Sequence, residues 1–257
     1  VALASMISQF ISAFLILRAL LTGKEKYCLR LSEIRFDKRK AAGILQIGIP
    51  SAFQYSLFAF ANLFVQSSVN SFDHVLVEGN SAAANADPLV YDMMAAFYTA
   101  CSSFIAQNFG ARKKKRILQT YLICLFYSFI TSLVLGVGIY LARYPFLYLF
   151  TSDKAVVEAG ITRLSIMALS YSASAFMDAS IAASRGLGKT AVPTFVVVMG
   201  SCVFRIIWIY TIFAYFHTIQ SLYILYVFSW GITAIAENIY FFHVYRHTLT
   251  GKTESHL

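Results

Sequence analysis

Three stretches of this chain contain no Asp, Glu, Lys or Arg: Ala41 to Phe72, Ile117 to Ala142 and Ile206 to Ala236. Each is longer than the ~20 mostly apolar residues that a helix needs to cross the hydrocarbon core of a bilayer. Strands do not fit, because a membrane strand is about 10 residues long and alternates polar with apolar positions. In lipid every backbone amide must find its partner inside the protein, and a helix does so within one segment. The remaining composition agrees. The chain of 257 residues is 58% apolar and 13% charged, against about 25% charged for a soluble domain. A water-soluble globule and a disordered chain are both excluded. Cys28, Cys101, Cys124 and Cys202 are scattered, three of them inside apolar runs, which excludes a disulfide scaffold.

The fold class read from this pattern is all-α, a polytopic membrane helical bundle. The runs predict about seven transmembrane helices, over roughly 1–21, 44–70, 89–109, 117–142, 160–183, 193–214 and 222–245. Basic residues concentrate in alternate connections, with fewer in the one after the fourth span, which holds Arg143 and Lys154, and with Arg163 near the start of the fifth. Lys24, Lys26, Arg30, Arg35 and Lys38 to Lys40 follow the first span, Arg112 to Arg116 the third, Arg185 and Lys189 the fifth, and Arg246 and Lys252 the seventh. The connections after the second and sixth spans hold neither Lys nor Arg. The positive-inside rule then puts the basic loops and the C-terminus in the cytoplasm of a multi-pass protein of the cell membrane. This bias, with anionic lipid head groups as partners, accounts for the net charge of +9. The basic residues punctuate spans rather than forming one surface, so nucleic acid is not expected as a partner.

The chain starts at Val1 inside an apolar run, without the basic n-region of a signal peptide. An odd number of spans puts its two ends on opposite sides. Both features lead to the expectation that earlier spans precede it. The segment from Lys24 to Lys40 is the longest polar stretch and the best candidate boundary between lobes. Leu31, Ile34 and Phe36 fit either a short surface helix or a solvated linker. Pro50 stands inside the second span, where it removes a helical hydrogen bond. Small residues crowd the fifth span, among them Ser170, Ser174, Ala175, Ala179, Ser180, Ala182 and Ala183. That predicts an internal helix with close neighbours.

Catalytic and nucleotide-binding patterns fail on inspection. Gly188-Lys189-Thr190 resembles the end of a phosphate-binding loop, but the pattern requires glycine at 183 and Ala183 stands there. Gly186 and Gly188 more simply end the fifth helix and turn the chain. His243 and His247 are four apart without a third ligand nearby. No enzyme, no metal site and no cofactor are expected.

Ionisable residues at membrane depth are costly and are functional candidates by default. Asp178 in the fifth span, Arg205 in the sixth and Glu237 in the seventh stand out. Two readings fit them: an ion pair in which Arg205 neutralises one or both acids and ties the spans together, or a protonatable, cation-binding carboxylate. Asp87 and Asp92 read as surface or vestibule groups. In the second span Asn62, Gln66 and Asn70 recur every four residues along one helical face, with Gln54 about 80° round from Asn62 at roughly 100° per residue. Such a stripe faces either a polar cavity or interhelical hydrogen bonds.

Several segments resemble the MATE (multidrug and toxic compound extrusion) transporters. Gly48-Ile49-Pro50 opening a polar-striped span is similar to the start of that family's seventh helix. Phe104-Ile105-Ala106-Gln107-Asn108-Phe109-Gly110-Ala111 with its basic sequel resembles the eighth. Arg185-Gly186-Leu187-Gly188-Lys189-Thr190 with Pro193 resembles the joint between the tenth and eleventh, and Cys202-Val203-Phe204-Arg205-Ile206-Ile207-Trp208 the eleventh. The resemblance implies half of a two-lobe transporter of twelve helices. Residues 1–23 would be the last helix of an N-terminal lobe, 24–42 the cytoplasmic linker, 43–248 the C-terminal six-helix lobe and 249–257 a cytoplasmic tail. It implies a cation-coupled antiporter, driven by sodium ions or protons, that expels drug-like organic cations by alternating access together with the missing N-terminal lobe. The alternative is a flippase of lipid-linked oligosaccharides from the same superfamily. Gln54, Asn62, Gln66, Asn70, Asp178, Arg205 and Glu237 are the candidate substrate- or cation-binding residues. This chain departs from the family in having no acid on the helix that opens with Pro50.

Overall fold

A computed structural model describes residues 2–22, 29–30 and 34–248. Every regular element among them is a helix. The chain divides into two compact units, residues 1–46 and 47–257. The first holds α1 (Ala2–Thr22) and the opening turns of α2 (Lys38–Val69). There Asp37 accepts hydrogen bonds from the amides of Arg39 (2.9 Å) and Lys40 (3.1 Å), which starts α2 as an N-cap would. Ile34 and Phe36 are not helical. Leu31, Cys28 and the tail 249–257 lie outside the described residues, as do the other residues of 23–28 and 31–33.

The second unit holds the rest of α2 and the helices α3 (His74–Ala84), α4 (Ala86–Gly110), α5 (Lys114–Leu141), α6 (Arg143–Tyr148), α7 (Lys154–Gly186), α8 (Ala191–Phe216) and α9 (Ile219–His247). Six described helical stretches are long and apolar enough to cross a membrane: α2, α3 with α4, α5, α7, α8 and α9. The chain is thus an all-α, multi-pass membrane bundle, with α1 as a shorter apolar helix. Two short helices were not foreseen. α3 carries Glu78, Asn80 and Ser81 among its apolar residues, so its composition does not set it apart from a loop. It is started by Asp73, which accepts from the Leu76 amide at 2.9 Å.

α7 is the axis of the second unit, packing against α3, α4, α5 and α9. Two thirds of its apolar stretch is buried, against about a fifth for α5, which confirms the internal position that its small residues predict. Helices approach closely there. A Cβ at Gly136 of α5 would lie 2.1 Å from the Ala168 carbonyl oxygen of α7. Tyr121 of α5 spans the same seam lower down, contacting the Ser180 hydroxyl (3.0 Å) and donating to Asn238 of α9 (2.5 Å). Outward faces carry large apolar side chains such as Phe53 and Phe60 on α2, Phe126 on α5 and Ile235 and Ile239 on α9. That is the surface hydrocarbon requires.

The glycines after α7 behave as expected. Gly188 has φ 75°, and the Lys189 amide reaches back to the Ser184 carbonyl (3.0 Å), the bond that closes a left-handed helix end. Short connections return the chain, so the basic residues 112–116, 185–189 and 246 gather at one end of the bundle. Lys114 donating to the Arg246 carbonyl (2.9 Å) joins two of those segments. α8 is irregular: π-helical turns at Val198–Val203 and Ile209–Phe213 flank a single α-helical turn that carries Arg205.

Candidate functional site

Two cavities of the second unit are lined by candidate residues. The first, about 470 Å³, is bounded by α2, α4, α7 and α8 near the basic end. Its polar groups are Gln54 on α2, Tyr91 and Tyr98 on α4, and Asp178 and Arg185 on α7; Tyr55 and Phe58 supply aromatic wall. Asp178 and Arg185 are seven residues apart, two turns of one helix face, and they form no ion pair. Arg185 instead donates to the Gln54 side chain at 3.0 Å, and its Nε has no partner. Oδ2 of Asp178 and the Tyr98 hydroxyl are likewise buried without a hydrogen bond. Tyr91 and Tyr98 both turn their hydroxyls toward the Asp178 carboxylate. A buried carboxylate oxygen without a hydrogen bond is expensive.

The second cavity, about 450 Å³, lies toward the opposite end. Asn62 and Gln66 line it from α2, Asp87 and Asp92 from α4, Arg163 and Tyr171 from α7, and Tyr226 and Trp230 from α9. Asp87 is no loose surface group. It pairs with Arg163 at 2.5 Å and accepts from Tyr171 at 2.5 Å, while Arg163 also holds the Asn80 carbonyl and side-chain oxygens at 3.1 Å each. Sequence reading missed this cluster because its members sit on three helices, and neither Asp87 nor Arg163 lies deep in a predicted span.

Arg205 is fully buried. It donates to Asn62 (2.7 Å) and Ser229 (3.3 Å), and its guanidinium lies over the rings of Phe58 (4.6 Å) and Tyr226 (4.5 Å). Its remaining Nη2 is unpartnered. Arg205 therefore does not neutralise Asp178 or Glu237, as one sequence reading had it. Neutral oxygens and aromatic faces hold it instead. Arg185, read from sequence only as a loop residue, is the cation whose field reaches both acids. Glu237 is fully buried with neither carboxylate oxygen bonded, and it lines neither cavity. Gln66 donates to Asn70 at 2.9 Å, so part of the polar stripe satisfies itself, and Asn70 stays outside both cavities. The site thus gathers Gln54 with Asp178, and Asn62 with Gln66 and Arg205. No group of three or more His, Cys, Asp or Glu side chains suited to a metal occurs among the described residues.

The model of the MatE family matches residues 50–211. The chain belongs to the MatE family. The matched MatE segment includes every candidate residue except Glu237. A probable multidrug resistance protein, NorM, of Thermotoga maritima is 23% identical over 197 residues, 75% of this chain and 41% of the relative. An FAD transporter of Shewanella oneidensis is 25% identical over 134 residues, 52% of this chain and 29% of the relative. The structure of a transporter of the MOP superfamily from Pyrococcus furiosus shares the fold, with TM-score 0.85 at 19% identity, over 97% of this chain and 57% of that one. This MatE chain therefore spans about two fifths of the first of these relatives and under three fifths of the solved transporter.

Proposed function

We propose that this bundle works with a second six-helix lobe as one antiporter, exporting drug-like organic cations across the cytoplasmic membrane in exchange for sodium ions or protons. Rocking of the two lobes exposes a shared cavity to each side in turn. The observation that carries this reading is Asp178: a carboxylate with an unpartnered buried oxygen in the wall of an aromatic-lined cavity, its neighbouring guanidinium held off by Gln54. A one-for-one exchange of the coupling ion for a monovalent cargo cation moves no net charge, so the ion's concentration gradient drives it, about 1.4 kcal/mol for each tenfold ratio. Asp178 is suited to alternate between the coupling ion and the cargo cation. Glu237 acts on its field from outside the cavity, and Asn62 and Gln66 belong to the wall of the outer cavity.

The test is Asp178→Asn in the full-length protein, reconstituted in vesicles with an imposed sodium or proton gradient. Uphill movement of a fluorescent organic cation is expected to be lost with the fold retained. Undiminished ion-driven movement removes Asp178 from the coupling role. A second reading, a flippase for lipid-linked oligosaccharides, is favoured by the unbonded guanidinium nitrogen of Arg185 in the cavity wall. Inhibition of dye efflux by a long-chain lipid pyrophosphate, and not by organic cations, would support it over the first.

A further inference from the structure

Antiport as proposed above needs the coupling ion to reach Asp178 from the side opposite the basic loops, yet Asp178 lines only the cavity near the basic end. The other cavity begins at the acid-lined end, with Asp87 and Asp92 in its wall. Two side chains line both cavities: Phe58 and Tyr91. They are the partition between the two spaces.

The two halves of that partition are held differently. The Phe58 ring lies against the Arg205 guanidinium, and Arg205 is itself tied to Asn62, Ser229 and Tyr226. Phe58 is therefore a fixed wall, and this gives Arg205 a structural task that its lack of an acidic partner leaves open. Tyr91 is set on α4 one turn beyond Asp87, its ring edge-on to Tyr98 at 6.5 Å. It is 43% exposed, so a large part of its ring faces the cavities rather than packed side chains. Its hydroxyl faces Asp178. Rotation about the Tyr91 side-chain bonds requires no helix to move and falls on the fast timescale of exposed side chains.

We propose that Tyr91 is the gate of an ion route inside this bundle, through which a small cation or proton entering the acid-lined cavity passes the fixed Phe58 ring to reach Asp178. The proposal rests on the antiport reading for its purpose, but its geometry is testable without transport. Asp178→Cys is introduced into the full-length protein with the native cysteines replaced, and a membrane-impermeant cationic thiosulfonate reagent is added from one side of oriented vesicles at a time. The cysteine is expected to react from the acid-lined side. Tyr91→Ala should speed that reaction about tenfold and Tyr91→Trp slow it about tenfold. Neither should alter the rate from the basic side. Reaction from the basic side alone, or rates indifferent to Tyr91, overturns the route. Loss of ion-driven efflux with the Tyr91-dependent labelling intact would instead fault the antiport reading.

Discussion

A buried guanidinium without a carboxylate partner is stabilised only while every one of its weaker contacts holds. Arg205 has two neutral hydrogen-bond acceptors and two ring faces. Lysine lacks the planar fork that serves both acceptors and lies flat on an aromatic face. Arg205→Lys is therefore expected to cost about 1–3 kcal/mol, since at least one buried partner is left unsatisfied. Thermal unfolding in detergent, followed by the melting temperature, checks this; an unchanged value would show that the four contacts contribute nothing. At this scale the sequence was half legible. A charge inside an apolar run is visible in any single span, so Asp178, Arg205 and Glu237 were found. Their partners were not, because Asn62 meets Arg205 across 143 positions and Gln54 meets Arg185 across 131. No local pattern records such pairings. Asp87 and Arg163 were passed over for the same reason.

The helices themselves were largely readable, since hydrocarbon demands a continuous apolar segment wherever one crosses. The second predicted span, 44–70, became α2 with six more residues at its basic start, and the fifth, 160–183, became α7 with six more at its first end. Each extra turn carries charged residues, Lys38 to Lys40 in α2 and Lys154 with Glu158 in α7, so hydropathy stops short of them. α3 escaped entirely because it is short and mixed. The close seam of α5 with α7 carries a prediction. With a Cβ at Gly136 only 2.1 Å from a backbone carbonyl of α7, Gly136→Ala must push two packed helices apart. Overpacking of this kind costs typically 1–3 kcal/mol. Gly138, two residues on, has open space beside it, so Gly138→Ala is the control. Equal melting temperatures for the two variants in detergent would contradict this packing.

For the molecule as a whole, the gathering of basic residues at one end has a directional consequence. A reporter enzyme active only in the cytoplasm, fused after Thr248, should be active in cells, and the same reporter inserted between Phe216 and Thr218 should be inactive. Swapped activities would invert the proposed direction of export. The two-cavity arrangement makes a second demand at this scale. Because both spaces lie within residues 47–257, labelling of Asp178→Cys in a preparation of residues 1–257 should keep its dependence on Tyr91, while uphill efflux by that preparation should be absent.

The irregular turns of α8 bear on how such a helix changes over time. A π-helical turn accommodates one residue more than the α-helix around it, without breaking the helix. Deleting one residue within Val198–Val203 would return that stretch to regular winding while the residues beyond it keep their facing. The guanidinium would then stay opposite its asparagine on a helix one residue shorter. Gain or loss of a single codon can thus be absorbed by winding alone, leaving unchanged which group a transmembrane helix offers to its surroundings.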